Sequence, residues 1–299
     1  MAGCRDVKLI VVEIQEEQNS MSEISIKPIT EKGICNKQEN IESILPIDEY
    51  TFENFIIAES NKLAYASALA VAGGDKKQLF NPLFICGSSG LGKTHLLHAI
   101  WNFVKKQNPQ SKIIYKTSDE FMGELFRATR QSKTSEFRDN YTYADYFLMD
   151  DSCFISGKPG TQLELLKIFN ILFESGTQVV FVSDKSANGM HVFEHGLRTS
   201  FHSCLIADIR PPEKTLCKAI VKQKAQQLGV ALPENIIAYI VANAGTNIWH
   251  LEGAVKTIIS HRDIMDEEIT GDSVVTRLKL LFKDKKEYNI TRSFMLKSI

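Results

Sequence analysis

The chain has 299 residues, 43% of them hydrophobic and 24% charged, which suits one or two packed domains and excludes a disordered polymer. No run approaches the roughly 18 apolar residues of a membrane span. Arg5, Asp6 and Lys8 interrupt the apolar run where a signal peptide would keep it whole, so the expected location is the cytoplasm. A formal net charge of -1 gives no global pull toward nucleic acid, and any DNA contact has to be local.

Residues 1–49 are polar and mildly acidic, with one β-like run from Val7 to Ile14 and Met21 as a second candidate start, and are expected to form a poorly ordered leader. From Phe52 the character changes. Ser60 reads as an N-cap, the following Asn-Lys-Leu-Ala-Tyr-Ala-Ser-Ala-Leu-Ala-Val-Ala as a helix, and Gly73-Gly74 as its stop. Apolar runs of strand length follow at Pro82 to Cys86, Ile113 to Thr117, Tyr146 to Met149, Gln178 to Val182 and Cys204 to Ile209, with helical segments between them. Parallel strands need crossovers and helices bury both faces of the sheet, so this alternation predicts an α/β fold with a five-stranded parallel sheet.

Beyond Pro211-Pro212 the β signal ends, and helices are predicted over about Glu213 to Leu228, Glu234 to Ala244, Asn247 to His261 and Gly271 to Phe282. The expected organisation is a leader at 1–49, an α/β domain at 50–212, a small all-helical domain at 213–283 and a basic tail at 284–299. The cysteines Cys4, Cys35, Cys86, Cys153, Cys204 and Cys217 form no C-x-x-C pair and read as reduced and structural.

The strongest motif is Gly87-Ser88-Ser89-Gly90-Leu91-Gly92-Lys93-Thr94, which fits G-x-x-x-x-G-K-[ST] and stands between a predicted strand and a predicted helix. The glycines let backbone N–H groups converge on phosphate oxygens, and the helix N-terminus adds its positive dipole end. Lys93 is placed to reach β- and γ-phosphates and Thr94 to ligate magnesium, which makes ATP or ADP with Mg2+ the expected cofactor. A second apolar run ends in Asp150-Asp151. Asp150 is the candidate for the magnesium shell, and Asp151 for orienting or deprotonating an attacking water. Two adjacent aspartates capping a helix are the plainer alternative. A third run ends in Ser183-Asp184-Lys185 and places Asp184 at the carboxyl edge of the sheet, where it could sense a terminal phosphate.

At these residues the sequence resembles the bacterial DnaA replication initiators, over about Tyr50 to Phe282. Tyr50-Thr51-Phe52-Glu53-Asn54-Phe55 with Ser60-Asn61 is similar to the family segment that covers the adenine. Asn81 to Ile100, including His95 after the threonine, is similar to its phosphate-loop region. Ala207-Asp208-Ile209-Arg210-Pro211-Pro212-Glu213 resembles the run before the lid, and Leu251-Glu252-Gly253-Ala254 the lid helix. The resemblance implies an AAA+ P-loop NTPase acting in initiation or regulation of chromosome replication. It adds Asn61 and His95 to the residues facing nucleotide, and self-association or association with a full-length initiator to the expected partners. A helicase-loader-like role has similar parts and ranks below this.

The sequence departs from the family in three places. Ser200, in Leu197-Arg198-Thr199-Ser200-Phe201, stands where the family has its finger arginine, and Trp249 stands where the lid helix carries a sensor arginine. An arginine finger contributes about 10³ to 10⁵ in turnover where one is used, whereas a single charge-assisted hydrogen bond contributes roughly 1.5 to 3 kcal/mol to binding, so binding is expected to survive better than hydrolysis. Arg198 is the candidate substitute finger, at a displacement of two residues that changes its direction. Phe126-Arg127-Ala128-Thr129-Arg130 matches the family stretch that contacts single-stranded DNA, but a second family arginine of that region falls at Gly160. A weak single-stranded contact is expected there, against the plainer reading of an amphipathic helix face. The residues after Phe282 are too few for the family's duplex-reading helix-turn-helix domain, so no sequence-specific duplex reading is expected of this chain.

Overall fold

A computed structural model describes residues 46–74, 80–152, 157–184, 205–265 and 269–282. The expectations for residues 1–45 of the leader, for the tail, and for Cys153, Cys204, Arg198 and Ser200 lie outside the described residues. Five strands, β1 (Leu83–Cys86), β2 (Ile113–Thr117), β3 (Tyr146–Asp150), β4 (Gln178–Ser183) and β5 (Leu205–Asp208), form one sheet in the order β2-β3-β4-β1-β5. Every pairing is parallel. α1 (Lys62–Ala72) precedes β1, and between the strands run α2 (Lys93–Gln107), α3 (Ser118–Arg130), α4 (Thr134–Asp139) and α5 (Pro159–Glu174). After β5 come α6 (Lys214–Gln227), α7 (Glu234–Ala244), α8 (Ile248–Met265) and α9 (Gly271–Leu281).

The near-continuous apolar runs of the central strands follow from burial on both faces. Successive residues alternate between two cores: Leu83, Ile85, Leu148, Val180 and Val182 pack with α1 and α2, while Phe84, Phe147, Met149, Val179 and Phe181 pack with α3, α4 and α5. Helices α6 to α9 enclose a separate core of Cys217, Val221, Ile240, Leu251, Val255, Ile258 and Leu278. Each element ends where local chemistry directs. Thr117 and Glu120 form a reciprocal capping box at the start of α3, Thr270 and Ser273 another at α9, and Pro159 opens α5 at a position where its missing N–H costs nothing.

The cap of α1 differs from the expectation. Asn61, not Ser60, occupies the N-cap position, and its side chain does not cap the helix. Its amide donates to the Ile56 carbonyl (3.0 Å) and its oxygen accepts from the Ala58 N–H (2.8 Å), so the side chain closes the preceding turn. Two strands run one residue past the predicted ends, β3 through Asp150 and β4 through Ser183, while β5 stops at Asp208, one residue short of the predicted Ile209.

One buried charge pair stands apart from the phosphate motif. Lys116 on β2 meets Glu124 on α3 at 2.5 Å, and Tyr141 donates to the other Glu124 oxygen at 3.2 Å. Removing one partner leaves an uncompensated buried charge, which typically costs about 3–5 kcal/mol. Lys116→Met is therefore expected to lower unfolding stability by that order in urea titration, and Lys116→Met with Glu124→Leu to recover most of the loss. A single variant as stable as the parent would show the pair to be inconsequential.

Candidate nucleotide-binding site

The turn from β1 into α2 builds the first half of the site. Gly90 and Gly92 take positive φ values of 75° and 90°, a left-handed conformation that glycine adopts without steric cost. A Cβ on Gly90 would also run into the Asn247 side chain. Lys93 begins α2 with only 5% of its surface exposed. Its ammonium donates to the Ser88 carbonyl at 2.8 Å and pairs with Asp184 Oδ1 at 2.6 Å. Leu91 faces the core, whereas Ser88 and Ser89 stay exposed.

The second half comes from β3, separated from β1 by β4 in the sheet. Asp150 is 3% exposed and its carboxylate collects three donors: the Thr94 hydroxyl at 2.8 Å, the Tyr115 hydroxyl at 3.2 Å and the Asp151 N–H at 2.8 Å. Asp150 is the last residue of β3, and Asp151 follows it directly. Asp151 stands at φ 53°, an unusual conformation for a residue with a side chain, and Ser118 donates to its carbonyl at 2.6 Å. Burial first, then the neighbouring Asp150 and Asp184 carboxylates, push the Asp151 carboxyl above its ordinary range, with Lys93 opposing. Burial and the same Asp150 charge raise the Tyr115 hydroxyl, which keeps it a donor.

A cleft of about 340 Å³ joins these groups, lined by Ser89, Gly90, Gly92, Lys93, Thr94, His95, Asp151, Asp184, Ile248, Trp249, Glu252, Ile47 and Tyr50. A narrower recess of about 70 Å³ continues from it between Tyr50, Asn54, Phe55, Asn61 and His95 on one side and Ile220, Lys224, Gln227 and Ile248 on the other. The segment around Tyr50 is held on α2 by its histidines. His95 Nε2–H donates to the Thr51 carbonyl at 2.8 Å while its ring stacks on Tyr50 at 4.6 Å, and the Ile47 N–H donates to His98 Nδ1 at 3.0 Å. The start of α8 closes the far side, where the Ile248 N–H donates to the Gly90 carbonyl at 2.8 Å.

Among the described residues no group of three or more His, Cys, Asp or Glu side chains is arranged to hold a metal on its own. A divalent ion here would need phosphate oxygens or water to complete its shell beyond Thr94 and Asp150.

Residues 47–208 match the family described as the bacterial DnaA ATPase domain. The chain belongs to the bacterial DnaA family. It is similar to domain III of the Thermotoga maritima replication initiation protein DnaA at 34% identity and a TM-score of 0.76, over 80% of this chain and 99% of that one. It is also similar to AMPPCP-bound DnaA from Aquifex aeolicus (31% identity, TM-score 0.68, 79% and 70% covered). A DnaA bound to AMPPCP and single-stranded DNA matches at 31% identity and a TM-score of 0.65, with 73% and 68% covered. The chain is thus a DnaA-type AAA+ ATPase domain, of a family tied to replication initiation.

Within this DnaA domain Lys93, Thr94, Asp151 and Asp184 line one cleft, Asp150 is buried behind Thr94, and Asn61 and His95 stand at the recess beside it. Trp249 lines the cleft in the first turn of α8 and is 60% exposed. Phe126 is 61% exposed on α3, with the Arg130 guanidinium 5.6 Å above its ring. Sequence reasoning missed Tyr115, His98 and Asn247. Only Asn247 carried a local signal, as an asparagine before a helix: its Oδ1 accepts from the Trp249 N–H at 3.0 Å.

Burial lowers the His98 pKa from 6.5, with Asp150 opposing, and burial lowers His95 as well. The unfolded chain therefore takes up protons below about pH 6.5 that the folded chain resists, and folded stability present above that pH is lost as pH falls toward the depressed value. The melting temperature is expected to drop between about pH 7 and 5.5, and less steeply in His98→Gln, which keeps an acceptor for Ile47. Parallel pH profiles for parent and variant would remove His98 from the account.

Proposed function

We propose that this chain holds an adenine nucleotide, ATP or ADP, with magnesium, and works in the initiation or regulation of chromosome replication by associating with itself or with an intact initiator. The observation that carries the reading is the Thr94 hydroxyl 2.8 Å from the Asp150 carboxylate, opposite the buried Lys93 ammonium in a phosphate loop. Two neighbouring ligands of an octahedral ion at roughly 2.0–2.1 Å from each would lie about 2.9 Å apart, so the spacing suits magnesium. Two related DnaA proteins bind AMPPCP, which supports an adenine nucleotide.

In this reading the backbone of Gly87 to Thr94 wraps the phosphates and Lys93 lies against the β/γ oxygens. Thr94 and Asp150 hold the ion, whose contribution is to neutralise phosphate charge. Asp151, held by Ser118 and Asp150, orients or deprotonates a water, and Asp184 faces the terminal phosphate. Tyr50, Asn61 and His95 bound the recess for the base, with the lid at 213–283 closing over the core at 50–212. Cytoplasmic placement goes with this role, and no described helix is long and apolar enough to cross a membrane.

A second reading, a nucleotide-bound paralogue with little turnover, is favoured by Trp249. Its indole offers one N–H at the cleft where a guanidinium would offer five donors and a charge. Slow hydrolysis is the expected behaviour in both settings: single-turnover ATP hydrolysis should remain low with and without an intact initiator, and fast turnover in either would overturn the weak-ATPase assignment. A single-stranded DNA contact through Phe126 and Arg127 is expected to be weak and to fade with salt.

The metal half of the proposal has its own test. Asp150→Asn and Thr94→Val are each expected to remove most of the magnesium-dependent gain in nucleotide affinity, about tenfold or more, while leaving affinity in EDTA near the parental value. Calorimetric titration in magnesium and in EDTA measures both, and an undiminished magnesium effect would exclude these residues as the ion's ligands.

A further inference from the structure

Resting on the magnesium reading of Asp150, we propose that Tyr115 is a positioning residue for the ion half of the site: its hydroxyl fixes the rotation of the Asp150 carboxylate and so sets how much magnesium adds to nucleotide affinity. Strand register brings the two residues together. Tyr115 on β2 pairs with Leu148 on β3, two residues before Asp150. Side chains two apart on a strand share a face, and both Tyr115 and Leu148 belong to the core under α1 and α2. Asp150 therefore points toward α2, whose Thr94 donates to it, and the long phenol crosses the diagonal to reach Asp150 Oδ2 at 3.2 Å.

The donors on the carboxylate divide between its two oxygens. The Asp151 N–H takes Oδ1 at 2.8 Å, while the Thr94 and Tyr115 hydroxyls share Oδ2. Of these three, Thr94 is itself a proposed ion ligand, and Asp151 sits in an unusual conformation at φ 53°. Tyr115 is the donor that belongs to neither the phosphate motif nor the acidic pair. Its ring has little freedom, being 5% exposed and set edge-on to His98 with centroids 5.1 Å apart at 83°. His98 is held in turn by the Ile47 N–H on its Nδ1 at 3.0 Å. A phenol offers one proton and an ionised carboxylate only accepts, so the direction of the bond is fixed. Partners that orient a metal-ligating group in this way are typically worth about 10- to 100-fold in metal affinity.

A double-mutant cycle read by calorimetric titration of the full chain with ADP, in magnesium and in EDTA, tests this. Tyr115→Phe removes only the hydroxyl and is expected to cut the magnesium-dependent gain in affinity by about tenfold, with affinity in EDTA held within about threefold of the parent. Because Tyr115 acts through Asp150, Tyr115→Phe combined with Asp150→Asn is expected to lose no more than about twofold beyond Asp150→Asn alone. Losses that add in the double variant overturn the proposal, as does an undiminished magnesium gain in Tyr115→Phe. A large fall in EDTA also overturns it, since Tyr115 would then support the nucleotide pocket as a whole. If Asp150→Asn alone leaves the magnesium gain intact, the magnesium reading of Asp150 fails, and the proposal with it.

Discussion

The first amide groups of α2 have no partners inside their own helix, and an anion is the natural complement to a set of them held in a fixed ring. Holding that ring requires a backbone path that few side chains tolerate, followed by a helix that starts without delay. β1 supplies the anchor, since it lies between β4 and β5 in the interior of a parallel sheet and its four residues are buried. Asp208 and Ser183 pair with Cys86 on either side, so the loop leaves the sheet where both neighbours also end. The acids at the ends of β3 and β4 are then delivered to the same edge by strand register alone.

The lid participates through backbone and shape more than through charge. Gly90 accepts from Ile248 and leaves no room for a Cβ beside Asn247, so a glycine needed for the loop's conformation also makes the docking surface for α8. On the other flank Glu49 meets Lys224 at 3.5 Å, and Gln227 donates to Asn54 at 3.5 Å. The segment at 46–55, the loop and the helical region thus share one cleft, and the residues that would touch phosphate and those that would touch base are coupled through Tyr50 and His95.

Much of this was legible in the sequence because local chemistry dictated it. The glycine spacing before Lys93 admits few conformations, and the apolar runs ending in Asp150 and Asp184 announced strands that end at one edge of the sheet. What remained hidden depends on partners far apart in the chain. Nothing near Tyr115 marks it as a donor to Asp150, because that contact exists only when β2 lies beside β3. Lys116 looks like an exposed strand residue until α3 folds Glu124 over it. Ser60 carries the same capping signature as Asn61, and the choice between them was made by the turn at Ile56 to Ala58, which needs both ends of an asparagine side chain. The family resemblance located Trp249 and Glu252, and the fold placed them on one cleft wall.

The account rests on the buried Lys93 ammonium as the counter-charge for a polyphosphate. Calorimetric titration of Lys93→Ala with ADP in magnesium tests it most directly, alongside a urea titration to confirm that the variant is folded. The account predicts at least about a hundredfold loss of affinity, in keeping with a charge-assisted contact removed from a buried site. Unchanged affinity in a folded variant would contradict it.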